Sequence, residues 1–129
     1  MSHPKLKVKR LHQDAVIPVR TRRSAFFYIR CIEGGVIEPK GVATLRTGLA
    51  FKIPEGFVML VFSQNGHGVR DGVQIANTTV VVDSDYRGEL MVKLANNGEQ
   101  AYTVEAGKIV AQAVATPVLI PVPPAELEV

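Results

Sequence analysis

Val80-Val81-Val82-Asp83-Ser84-Asp85-Tyr86-Arg87-Gly88-Glu89-Leu90 joins a β-branched run to a polar turn and then to the start of another apolar run. Three valines in a row favour extended backbone, and the Asp-Ser-Asp cluster with Gly88 favours a tight reversal. Asp83 stands where strand gives way to turn, a placement that can fix a carboxylate against a bound water as a general base. Tyr86, three residues on, can lay its ring against a flat ligand or a sugar. The same residues also suit an ordinary turn with a half-buried tyrosine, so the stretch alone decides the local fold and not the chemistry.

Short β-type runs repeat on both sides of it. They cover 5–10, 25–32, 41–50, 57–62, 78–82, 89–96, 101–104 and 109–118, and turn clusters such as Glu38-Pro39-Lys40-Gly41, Ile53-Pro54-Glu55-Gly56 and Asn96-Asn97-Gly98 punctuate them. Lys5 to Arg10 alternates charge with Leu6 and Val8, which predicts a half-exposed strand with those two side chains inward. No window carries uninterrupted helical spacing. The reading is a single all-β sandwich or barrel in residues 1–118. In the tail, 119–129, prolines at 121, 123 and 124 exclude a central strand. A chain of 129 residues with 47% apolar content fills one core, and no apolar run reaches the length of a membrane span. Cys31 is the single cysteine, which leaves no internal disulfide and no cysteine-based metal site. The basic start lacks the apolar core of a secretory signal, and a cytoplasmic location is expected.

Charge is uneven along the chain. Residues 1–30 hold eight Lys and Arg against Asp14 alone, whereas the whole chain carries only +3. Such an end suits nucleic acid, nucleotide phosphates or the acidic part of a neighbouring subunit. Without interleaved aromatics before Phe26, sequence-specific nucleic-acid binding is not expected.

The run from Val80 to Leu90 resembles the third motif of the trimeric dUTPase family, Gly-x-Ile-Asp-x-x-Tyr-x-Gly-Glu. The resemblance extends back through Leu6 to His12 and through Leu45-Arg-Thr-Gly-Leu-Ala-Phe-Lys-Ile-Pro-Glu-Gly56. Forward, it takes in Val104-Glu-Ala-Gly-Lys-Ile-Val-Ala-Gln-Ala-Val114, which is similar to the fourth motif. It covers roughly residues 5 to 118 and implies a β jelly roll, of the β-clip kind, assembled as a homotrimer whose active sites each draw on more than one subunit. By the same resemblance Asp83 would position the attacking water, Tyr86 would stack on deoxyribose and exclude a 2′-hydroxyl, and Asn77 would read the uracil edge. Asn65, Gly66, Arg70 and Gln112 fall on the phosphate side.

That side departs from the family pattern. Gln64 and Asn65 stand where the second motif has Arg and Ser, His67 replaces an apolar residue, Tyr28 stands where the first motif has its metal-holding carboxylate, and Ile109 replaces the Arg of the fourth motif. Gln lacks the charge-assisted fork that Arg offers phosphate. Val80 replaces the glycine that opens the third motif, which predicts a narrowed nucleoside pocket. The Pro-rich end carries no glycine-rich closing arm. Arg22, Arg23, Arg46, Arg70 and Arg87 are the candidate replacement cations.

The residues therefore support two readings. The first expectation is a divergent, phage-type dUTPase-fold homotrimer, weak or inactive as an enzyme, acting as a binding or structural module such as a capsid decoration or regulatory protein. It would sit in the host cytoplasm or the virion, with its termini reaching a larger assembly. The alternative is an active dUTP diphosphatase yielding dUMP and pyrophosphate with magnesium, which has no protein carboxylate assigned to it. A related deaminase would need a Ser-Arg-Ser signature and a catalytic Glu that are not found.

Overall fold

The computed structural model describes residues 5–19, 23–64, 72–76, 79–119 and 125–128. Among them every regular element is a strand: β1 Lys7–Arg10, β2 Phe27–Arg30, β3 Gly35–Ile37, β4 Val42–Lys52, β5 Phe57–Phe62, β6 Val73–Ile75, β7 Thr79–Val82, β8 Glu89–Asn96, β9 Tyr102–Val104 and β10 Ile109–Pro117. Two four-stranded antiparallel sheets, β1-β4-β8-β6 and β2-β10-β5-β7, enclose one core, and β3 pairs with β9 beside them. Successive strands from β4 to β8 alternate between the two sheets, the jelly-roll arrangement that the family resemblance implies.

Alternation decides which residues meet inside. Leu90, Val92 and Leu94 of β8 are buried while Met91 and Lys93 point out; opposite them Ile29, Met59, Val61, Ala111 and Ala113 close the second inner face. Leu6 and Val8 pack on this core as their spacing predicts. Each large aliphatic side chain fully removed from water contributes about 1.5–3 kcal/mol.

β3 and β6 are not among the runs read from the sequence. Each has three residues, too few to display a period, and each forms because a distant strand offers its edge: β9 for β3, and β8 for β6. Asn96, fully buried, shows how such short pieces are held. Its amide nitrogen donates to the carbonyls of Ile37 and Gln100, both at 2.8 Å, and its amide oxygen accepts from Gly98 N–H at 2.9 Å.

A β-bulge interrupts the pairing of β4 with β8 between Arg46 and Ala50. Gly48 takes φ +68°, a conformation that L side chains rarely adopt, and a Cβ there would stand 3.0 Å from Ala15 Cβ. The buried Thr47 hydroxyl donates to Leu90 O at 2.7 Å and accepts from Leu49 N–H at 3.2 Å, so the displaced backbone is satisfied. Gly48 O in turn accepts from Leu11 N–H at 2.7 Å, tying the end of β1 to the bulge.

Candidate active site

Strand β7 ends at the buried Val82, and Asp83 then emerges into solvent. The turn closes when Tyr86 N–H donates to Asp83 O at 3.2 Å. Tyr86 remains 45% exposed, yet its hydroxyl is fixed, donating to the Glu89 carbonyl at 2.9 Å. Arg87 folds its guanidinium back onto the turn, donating to Ser84 O and, at 3.2 Å, to Tyr86 O.

The far end of this turn is anchored in the bulge. Glu89 accepts from Arg46 Nε at 3.2 Å, from Arg46 Nη2 at 3.1 Å and from Gly48 N–H at 3.0 Å. The Arg46 hydrogen bonds hold the Glu89 carboxyl below its ordinary range; burial opposes the shift, and the Gly48 N–H reinforces it. Arg46 also reaches Glu33 at 3.4 Å. It is thus committed to carboxylates and is not a free replacement cation for phosphate, whereas Arg87 donates through Nη1 to carbonyls of its own turn and meets no carboxylate among the described residues. Neither Glu89 nor Arg46 was legible as a clamp from spacing, because the two lie on different strands.

Of the phosphate-side positions, Gln112 is described, and it lies on the outer face of the second sheet. In register, Gln112 of β10 lies beside Tyr28 of β2 on one side and Phe62 of β5 on the other, and Phe62 in turn faces Thr79 of β7. Tyr28 is exposed on this face beside Gln112, and Phe26 meets Phe62 edge to face at 6.1 Å. Val80 is different. It pairs with the buried Val61 and packs against the core, so its side chain faces inward and away from the row of Tyr28 and Gln112.

Both flanks of the segment that follows β5 are held: Ser63 Oγ accepts from Ile75 N–H at 2.7 Å, and Gly72, at φ +73°, accepts from Asn97 N–H at 2.8 Å. Asn65, Gly66, His67 and Arg70 lie outside the described residues, as does Asn77. Asp83 and Gln112 are not brought together within one chain. Thr79 shares the row of Gln112, and Asp83 is four residues further along, roughly 13 Å at the rise of a strand.

Among the described residues no three His, Cys, Asp or Glu side chains cluster as a metal site. Tyr28, where the family has its carboxylate, offers a phenol beside an amide, a poor donor set for magnesium, which prefers carboxylates, phosphates and water. These residues do not fit a protein-held magnesium ion. No helix among the described residues is long and apolar enough to cross a membrane.

The sequence model of the dUTPase family matches residues 13–128. The chain belongs to the dUTPase family. It is 38% identical over 116 residues to the deoxyuridine 5′-triphosphate nucleotidohydrolase of Nautilia profundicola, covering 89% of this chain and 82% of that protein. The enzyme of the same name from Helicobacter hepaticus is 38% identical over 119 residues, 92% of this chain and 75% of that one. Among solved structures, the dUTPase of Staphylococcus bacteriophage 80alpha superposes with TM-score 0.88 at 27% identity, covering 97% of each chain. A dUTPase from phage phi11 of S. aureus, described with a structural Mg(II) ion, gives TM-score 0.88 at 26% identity over 97% of this chain and 98% of that one.

These relatives correct the expectation of a weak or inactive structural module. Relatives so similar over most of the chain carry the name of the hydrolase, and none of them supports a pseudoenzyme or a capsid decoration protein. Motif side chains are only part of a phosphate site, because phosphate is also held by backbone N–H groups in turns and by cations at other positions, which leave no trace in a motif.

Proposed function

We propose that the protein hydrolyses dUTP to dUMP and pyrophosphate as a homotrimer. The observation that carries this reading is the 38% identity to a deoxyuridine 5′-triphosphate nucleotidohydrolase over 89% of the chain. Support comes from a turn that presents Asp83 and Tyr86 on a framework anchored at Glu89. The substrate is the magnesium complex of dUTP, with the ion arriving on the phosphates.

Asp83 orients a water and accepts its proton as the water oxygen bonds to phosphorus and the α–β phosphoanhydride breaks, releasing pyrophosphate. Tyr86 lies against the deoxyribose and leaves no room for a 2′-hydroxyl. Asn77 reads the uracil edge, since an amide offers both a donor and an acceptor. Asn65, Gly66, Arg70 and Gln112 hold the phosphates. Because Asp83 and Gln112 lie at opposite ends of β5 and β7, a complete site takes Asp83 from one copy and Gln112 from another. The working unit is residues 1–118, with 119–129 a Pro-rich tail, and its place is the cytoplasm, where nucleotide pools are hydrolysed.

The test is pyrophosphate release from dUTP with magnesium, beside UTP, dCTP and dTTP, for the wild type and for Asp83→Asn. Turnover confined to dUTP and lost in Asp83→Asn is the expected result. A trimeric preparation that turns over none of the four, or an Asp83→Asn variant of undiminished rate, overturns the reading.

A further inference from the structure

Away from the Tyr28–Gln112 row, a groove of about 390 Å³ is lined by Lys7, Lys9, Lys52 and Arg87 over a floor of Val8, Ala50 and Phe51. Among the described residues no acidic side chain lines it, and none of the four cations is in an ion pair. Lys7 and Lys52 are direct cross-strand partners, an arrangement of like charges that disfavours the fold unless an anion lies between them.

Lysines on an edge strand have a common purpose, which is to block edge-to-edge pairing, and that accounts for Lys7 and Lys9 on β1. It does not account for Lys52, which belongs to the inner strand β4 and is paired with Lys7 of β1. Nor does it account for Arg87, delivered from the turn after β7 and pointed by its hydrogen bonds to Ser84 O and Tyr86 O. Cations from three separate elements converge on one concave surface.

We infer that this groove is a phosphate-backbone site for duplex DNA, bound without regard to sequence. The lining has charge but no exposed aromatic platform, since Phe51 is buried. Base stacking, the usual source of affinity for single strands, is therefore missing, while the dense phosphate charge of a duplex is matched by the four cations. Lys7 and Lys9, two residues apart on one face, let the contact run along the strand.

Fluorescence anisotropy of a labelled 20-base-pair duplex between 50 and 200 mM salt tests this, with the single strand, pyrophosphate and the variant Lys9→Glu/Lys52→Glu as the other arms. The expected result is binding whose logarithm falls with log salt at a slope of about −3 to −4, for some four phosphates neutralised. In the variant the slope drops by about two and affinity at 50 mM falls at least tenfold, while dUTP turnover stays unchanged and the melting temperature does not fall, since Lys52→Glu replaces a like-charge cross-strand pair by an opposite-charge one. Absence of binding at 50 mM salt overturns the inference, as does binding that the variant leaves intact. Displacement of the duplex by pyrophosphate at equimolar concentration would show a small-anion site instead. Because turnover is read separately, failure here is distinguishable from failure of the hydrolase reading.

Discussion

The hydroxyl of Tyr86 donates to the backbone carbonyl of Glu89 at 2.9 Å, and the ring leans so closely over Gly88 that a Cβ there would stand 2.6 Å from the hydroxyl oxygen. Ring orientation is thus set by one hydrogen bond and by one missing methyl group.

Gly88→Ala displaces the ring of Tyr86 and breaks its bond to Glu89. Discrimination between dUTP and UTP, measured as the ratio of kcat/KM values, is expected to fall about tenfold, equivalent to about 1.4 kcal/mol. Tyr86→Phe, which keeps the ring and loses the anchor, should fall less. An unchanged ratio in Gly88→Ala separates Tyr86 from sugar selection.

Glu89 makes stability depend on pH. Its carboxyl titrates lower in the folded protein than in the unfolded chain, chiefly through the Arg46 hydrogen bonds, so the clamp is fully present above the ordinary Glu value of about 4.3 and is lost as pH falls through the lowered folded value. Urea melts of the wild type should lose stability on that acid limb. Glu89→Gln should be less stable at pH 7 and show a flatter limb, and identical pH profiles for the two proteins would exclude the clamp.

Asn96 satisfies two carbonyls and one N–H in a fully buried position. Asn96→Leu strands all three, and each buried polar group left unpaired costs about 1–3 kcal/mol. Denaturant unfolding should show a loss of at least roughly 2 kcal/mol, with Asn96→Asp intermediate because it retains the acceptor toward Gly98. A loss below about 0.5 kcal/mol, the range of surface substitutions, would contradict this role.

Shared sites predict complementation. Asp83→Asn and Gln112→Ala should each depress turnover, whereas trimers refolded from an equal mixture contain some sites with both native residues and should exceed the mean of the two parents. Activity no higher than that mean would place Asp83 and Gln112 in one chain's site or outside the reaction.

Local chemistry was legible in the chain itself. β-branched runs demand extended backbone, Gly and Asn clusters demand reversals, and alternation at 5–10 and 89–96 marks an inner face, so the strands and the Asp83–Tyr86 turn follow from sterics within a few residues. Tertiary structure alone decided what those local signals do not carry. Three-residue β3 and β6 form only against β9 and β8, Val80 turns to the core because it registers with Val61, and Tyr28 joins Gln112 because β2 borders β10. Likewise Arg46 binds Glu89 across 43 residues of chain. Hydrogen-bond registers between distant strands select these neighbours, and a register depends on the whole packed core, which no single stretch of sequence contains.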